Sequence, residues 1–175
     1  MMTEVNTQRT VLPISDAAFN NRVAMKQAYS KLSFQKRPTV LLTLTVKEPK
    51  GDHGNWLVSD ELFIQKANLL LRWINAELYG RKFKKKEAGL TGFGCLEKQA
   101  NQQPHTHLAI TTRLAPKTIK KMKNALYQKI KKINLFEADG VDFQVIGGSD
   151  SDFWRVGAYI AKEGRMVTLG PDGII

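Results

Sequence analysis

Residues 104–111 read Pro104-His105-Thr106-His107-Leu108-Ala109-Ile110-Thr111 and hold two of the three histidines in the chain. Polar and apolar residues alternate here as in a half-buried β-strand. Side chains two apart on a β-strand point to one face. His105 and His107 therefore stand side by side, while Leu108 and Ile110 turn into a core. Neutral imidazole is a common metal ligand, so one face of this β-strand is greasy and the other is chemical.

The segments on either side repeat the division. Thr39-Val40-Leu41-Leu42-Thr43-Leu44-Thr45-Val46 reads as a central β-strand, with Val40, Leu42, Leu44 and Val46 on one face and Thr39, Thr43 and Thr45 on the other. A breaker-rich loop, Lys47 to Asn55, follows. Ser59-Asp60-Glu61 is a helix cap with acids in the first turn. Leu62, Ile64, Ala67, Leu70, Leu71, Ile74 and Leu78 then recur at helical spacing up to Gly80. Leu90 to Lys98 reads as a second β-strand that turns through Ala100–Pro104 into the histidine β-strand as a hairpin. Pro116 opens a helix running to about Ile133. Asp142 to Ile146 is a fourth β-strand, and Gly147 to Ser151 a flexible, cap-rich link. Phe153 to Lys162 is a short helix stopped at Gly164, and the remaining tail adds a β-strand or is loose.

The order β-α-β-β-α-β plus a helix predicts an α+β fold with a ferredoxin-like antiparallel sheet. Both long helices are expected on one face, and the terminal helix on the open face that carries the histidines. Residues 1–37 read as a partly helical N-terminal extension, 38–165 as the functional domain, and 166–175 as a C-terminal tail.

Bulk properties narrow the class. The 175 residues suit one domain with its own core. A single cysteine, Cys95, excludes an intramolecular disulfide. No membrane-length apolar run and no signal-like start appear. A cytoplasmic protein without membrane contact is expected. Twenty-seven Lys and Arg against sixteen Asp and Glu give a net charge of +11, which points to a polyanion, most often nucleic acid. The cations cluster in Arg81-Lys82-Phe83-Lys84-Lys85-Lys86 and along Lys117, Lys120, Lys121, Lys123, Lys129, Lys131 and Lys132. Lys82, Lys84, Lys85, Lys86, Lys120 and Lys121 are the expected DNA contacts, each able to neutralise phosphate and release counterions.

A metal needs more than two ligands. If the hairpin turn has an odd number of residues, Glu97 shares the histidine face across it. Two imidazoles and one carboxylate leave positions open for phosphate and water, as a catalytic divalent metal requires. Cys95 shares that face as a rival ligand or, more simply, as a small buried residue. On the last helix Arg155, Tyr159 and Lys162 lie at i, i+4 and i+7. They put a phenol between two cations, where a phosphate would be met.

The succession TVLLTLTV, PHTHLAI and YIAK resembles the three motifs of HUH endonucleases, chiefly the replication-initiator (Rep) branch that starts rolling-circle replication. The likeness covers residues 39–164. It implies that His105, His107 and Glu97 hold Mn or Mg, and that Tyr159 attacks the DNA backbone to give a 5′-phosphotyrosine link and a free 3′-hydroxyl. Lys162 would steady the phosphate, and Arg155 would contact the DNA. It also implies single-stranded or hairpin DNA as substrate, with a separate helicase as a partner. Two features depart from the pattern. Thr106 stands between the histidines where a bulky apolar residue is usual, and Glu163 leaves no second tyrosine. A single-tyrosine transposase and a non-catalytic ferredoxin-like nucleic-acid-binding domain are the alternatives. The first typically carries Gln where this chain has Lys162. The second usually places aromatics on the open sheet face.

Overall fold

Alternating apolar residues build the sheet and helical periodicity builds its cover. The computed structural model describes residues 16–47, 56–81, 83, 88–136, 139–161 and 164–175. In chain order come α1 (Asp16–Lys36), β1 (Val40–Thr45), α2 (Asp60–Tyr79), β2 (Gly92–Lys98), β3 (Pro104–Ile110), α3 (Pro116–Ile130), β4 (Asp142–Val145), α4 (Asp150–Ile160), β5 (Gly164–Gly170) and β6 (Gly173–Ile174). This is an α+β fold. Among the described residues, four helices pack on one six-stranded antiparallel sheet of order β4-β1-β3-β2-β5-β6.

The sheet's two faces make two cores. Val40, Leu42, Leu44, Leu96, Leu108, Ile110, Val167 and Leu169 meet Phe63, Ala67, Leu70, Leu71 and Ile74 of α2, and Met122, Leu126 and Ile130 of α3. Many of these side chains are fully excluded from water, and burial of each is worth about 1.5–3 kcal/mol. Ser59 caps α2, accepting from the Leu62 amide. Gly80, at φ +84°, ends α2 with a backbone that a side chain would strain.

The opposite face holds a smaller cluster of Tyr29, Leu41, Phe93, Cys95, Ala109, Ile160 and Ala161. Here the structure corrects the sequence expectation. This face is not left open for one helix, because α1 and α4 pack on it together. They meet at Gly157, where a Cβ would lie 2.4 Å from both Ser30 Cα and the Tyr29 carbonyl oxygen. Only a residue without a side chain lets the two backbones approach so closely.

Of the two alternatives for the C-terminal residues, the structure has the added β-strand: β5 pairs with β2 and β6 with β5, extending the sheet. Gly164 is not a helix stop but the first residue of β5, opposite Glu97. The helix ends earlier, with Ala161 as its C-cap, and begins earlier, at Asp150. Ser149 and Asp152 form a reciprocal capping box there, and Asp150 and Ser151 of the expected flexible link belong to the helix. Among the described residues, no helix is long and apolar enough to cross a membrane.

Candidate metal centre

The hairpin turn aims the site. Gln99 N–H donates to the Gln103 carbonyl at 2.9 Å, and Gln102 sits in the left-handed region at φ +63°. This five-residue turn pairs Lys98 with Pro104 and therefore Glu97 with His105 and Cys95 with His107. The register settles which histidine the carboxylate faces directly. His107 reaches it along the diagonal. Glu97 Oε1 lies 2.9 Å from His105 Nε2 and 2.9 Å from His107 Nε2, and the two Nε2 atoms are 3.0 Å apart.

That triangle has chemical content. Glu97, His105 and His107 would hold a divalent cation through one carboxylate and two imidazoles, a donor set that leaves further coordination positions open for phosphate and water. Glu97 is 8% exposed and His107 2%. A buried carboxylate is costly unless a cation faces it, and a metal ion held between these atoms would supply one. The cluster of Glu97, His105 and His107 could hold a metal ion.

His107 is oriented from behind. Its Nδ1 lies 2.8 Å from Thr43 Oγ1, on the residue that β1 places opposite it. With Nδ1–H donating to the hydroxyl, Nε2 keeps its lone pair for a metal. The polar alternation of residues 39–45 signalled this face, but the role of Thr43 emerges only from the register. Thr43→Val should keep the fold and weaken metal binding about 10–100-fold, as read by Mn²⁺ titration calorimetry. Unchanged affinity would show that Thr43 does not position the ring.

Thr106 answers the question of its unusual place. It is fully buried on the α2–α3 side of the sheet, and its hydroxyl donates to the Cys95 carbonyl at 2.7 Å. Cys95 itself is packed in the smaller core and is not among the clustered ligand atoms.

Tyr159 joins the cluster from α4. Its ring lies 4.7 Å from that of His107, at 64°, and the residue is 39% exposed. The other tyrosines are placed elsewhere. Tyr29 is buried and donates to the Gly94 carbonyl. Burial pushes its phenol up to about 12, and Cys95 adds to the shift. Burial also raises the Tyr79 phenol, and Tyr127 sits on α3. Arg155 is exposed one turn before Tyr159, near Asp152. Lys120 and Lys121 are exposed on α3, across the sheet from the triad. Lys82, Lys84, Lys85, Lys86 and Lys162 lie outside the described residues.

The histidine face is uncovered beyond α1, over β5. There a cleft of about 390 Å³ is lined by Leu32, Lys36, Phe93, Met166 and Thr168, among others. Met166 is 52% exposed. Compared with known proteins, the chain matches no family model, no curated protein and no solved structure.

Proposed function

We propose that this protein is a metal-dependent endonuclease of the HUH type that nicks and rejoins single-stranded DNA through Tyr159. The observation that carries the reading is the seat of the Tyr159 ring against His107, beside three clustered ligand atoms. In this reading the strands β4-β1-β3-β2 are a ferredoxin-like core to which β5 and β6 are added. The family likeness implies Mn²⁺ or Mg²⁺ as the cation, and a carboxylate with two imidazoles is a donor set that would suit Mn²⁺ in particular.

The bound cation would polarise a non-bridging oxygen of the scissile phosphate. Glu97, His105 and His107 hold the ligand atoms on one rigid hairpin. Tyr159 Oη forms a bond to phosphorus as the bond from phosphorus to the 3′-oxygen breaks. The phenol proton ends on that 3′-oxygen, leaving a 3′-hydroxyl and a 5′-phosphotyrosine. The covalent link conserves a phosphodiester, so the reverse reaction rejoins the DNA. The uncovered strip over β5 offers the DNA strand a path away from the triad. Rolling-circle replication of a plasmid or virus is the process that this chemistry would serve, with a separate helicase unwinding the template.

The test is a denaturing gel after incubation with a pool of labelled single-stranded oligonucleotides and Mn²⁺. A metal-dependent covalent adduct is expected from the wild type and none from Tyr159→Phe. An adduct that survives in the Phe protein assigns the nucleophile elsewhere. No adduct from the wild type on any sequence in the pool removes the nuclease reading.

A further inference from the structure

We infer that the outer face of α2 and α3, on the far side of the sheet from the triad, docks double-helical DNA through its phosphates. Residues 116–132 carry seven lysines and no acid. The apolar residues Met122, Ala125, Leu126 and Ile130 of α3 face the core, so the lysines are turned outward: Lys117, Lys120, Lys121, Lys123, Lys131 and Lys132 are exposed. Near the C-terminal ends of both helices the charge is gathered into a cleft of about 470 Å³. It is lined by Trp73, Ala76, Glu77, Arg81, Lys129 and Lys132. Glu77 is its one acid, against three cations. Lys121 Nζ also reaches this region, donating to the Glu77 carbonyl at 2.5 Å.

The composition of the face selects the occupant. Every large hydrophobic residue that stands exposed lies elsewhere among the described residues, except Leu62 in the first turn of α2; neither α3 nor the C-terminal half of α2 carries one. A single-stranded nucleic acid is gripped by aromatics on which unpaired bases stack. A membrane surface takes up apolar side chains between the cations. Leu62 aside, no aromatic or large apolar side chain stands exposed on this face: Trp73, which lines the cleft, is half-buried, and the exposed positions of α3 are mostly lysines. A duplex keeps its bases stacked inside and displays phosphates, about one per 1.7 Å of axis. The 15 residues of α3 extend about 22 Å, alongside about a dozen phosphates. Tyr159, Trp154 and Met166, which are exposed aromatic or apolar groups, belong to the opposite side. The two faces thus suit paired and unpaired DNA respectively.

The inference does not require the nuclease reading. The experiment is fluorescence anisotropy with a short blunt DNA duplex at about 50 to 200 mM salt. Charge reversal in the cleft (R81E/K129E/K132E) should weaken duplex binding more than about tenfold and make the slope of log K against log salt shallower by about 2.7, at about 0.9 per phosphate contact. The milder pair R81Q/K132Q, which spares the half-buried Lys129, should make it shallower by about 1.8. An equal charge change on α1 (R22E/K26E/K31E) controls for net charge. Equal losses in that control, or an unchanged slope in both cleft variants, would overturn the inference. A failed nuclease reading would show separately, as an absent Tyr159 adduct with the duplex slopes intact.

Discussion

The His105→Ala/His107→Ala protein should lose saturable Mn²⁺ binding altogether. Two of the three clustered ligand atoms disappear, and Glu97 alone leaves a single carboxylate on the sheet. A partner behind a ligand is worth about 10–100-fold in affinity, and a ligand itself more, so the pair should cost about a thousandfold or beyond. Calorimetric titration reads this directly. A second measurement guards against simple unfolding, since His107 is a buried side chain. Metal that binds only the folded state raises the melting temperature, by about 2.7 kcal/mol of stability at a hundredfold excess over Kd. Wild-type protein should melt higher with Mn²⁺ than with a chelator, whereas the double variant should melt at one temperature in both. Glu97→Gln keeps the shape and removes the charge, and it should fall between the two. Equal Mn²⁺ affinity in wild type and double variant would remove the metal centre.

Gly157→Ala carries the second large effect. The added Cβ meets backbone atoms of Tyr29 and Ser30 at 2.4 Å, and backbone cannot swing aside as a side chain can. The helices α1 and α4 must part, at a cost of about 1–3 kcal/mol for such overpacking. In a chain of this size each kcal/mol lowers the melting temperature by about 2–4 °C. The functional consequence is separable. Tyr159 is two residues along the same helix, so its seat on His107 moves with α4, while the triad is held by the hairpin of β2 and β3. Adduct formation should fall more than about tenfold, with Mn²⁺ affinity within about twofold of wild type. A variant with full adduct yield would show that the α1–α4 contact does not set the position of Tyr159.

Much of the site was legible in local pattern. A period of two separates the faces of a β-strand whatever it pairs with, so the shared side of His105, His107 and Thr43 followed from their numbers. Glu97 falls on that side only for an odd-length turn, which the sequence left as an assumption, while α2 and α3 followed from their apolar spacing. What parity left open was which histidine Glu97 faced, and that needed the five-residue turn. The helix α1 was barely legible because its apolar residues do not form one stripe. Tyr29 is buried against the sheet, while Val23 and Met25 stand exposed. The sequence left the tail as an added β-strand or a loose end, because β5 pairs with β2 about 70 positions earlier through backbone hydrogen bonds that leave no side-chain signature, and β6 follows only by pairing with β5.

By itself, then, the sequence determined the alternation of faces, the helical cover of α2 and α3, the histidine pair and the basic charge. These are short-range properties, carried by neighbours a few residues apart. Only the tertiary structure decided that Glu97 Oε1 and the two Nε2 atoms converge, that Thr43 backs His107, that Gly157 lets α1 and α4 touch, and that Tyr159 comes to rest on His107. Each of those depends on register or on close approach between segments distant in the chain. The free energy that selects them is packing against a shared sheet, which no local window contains.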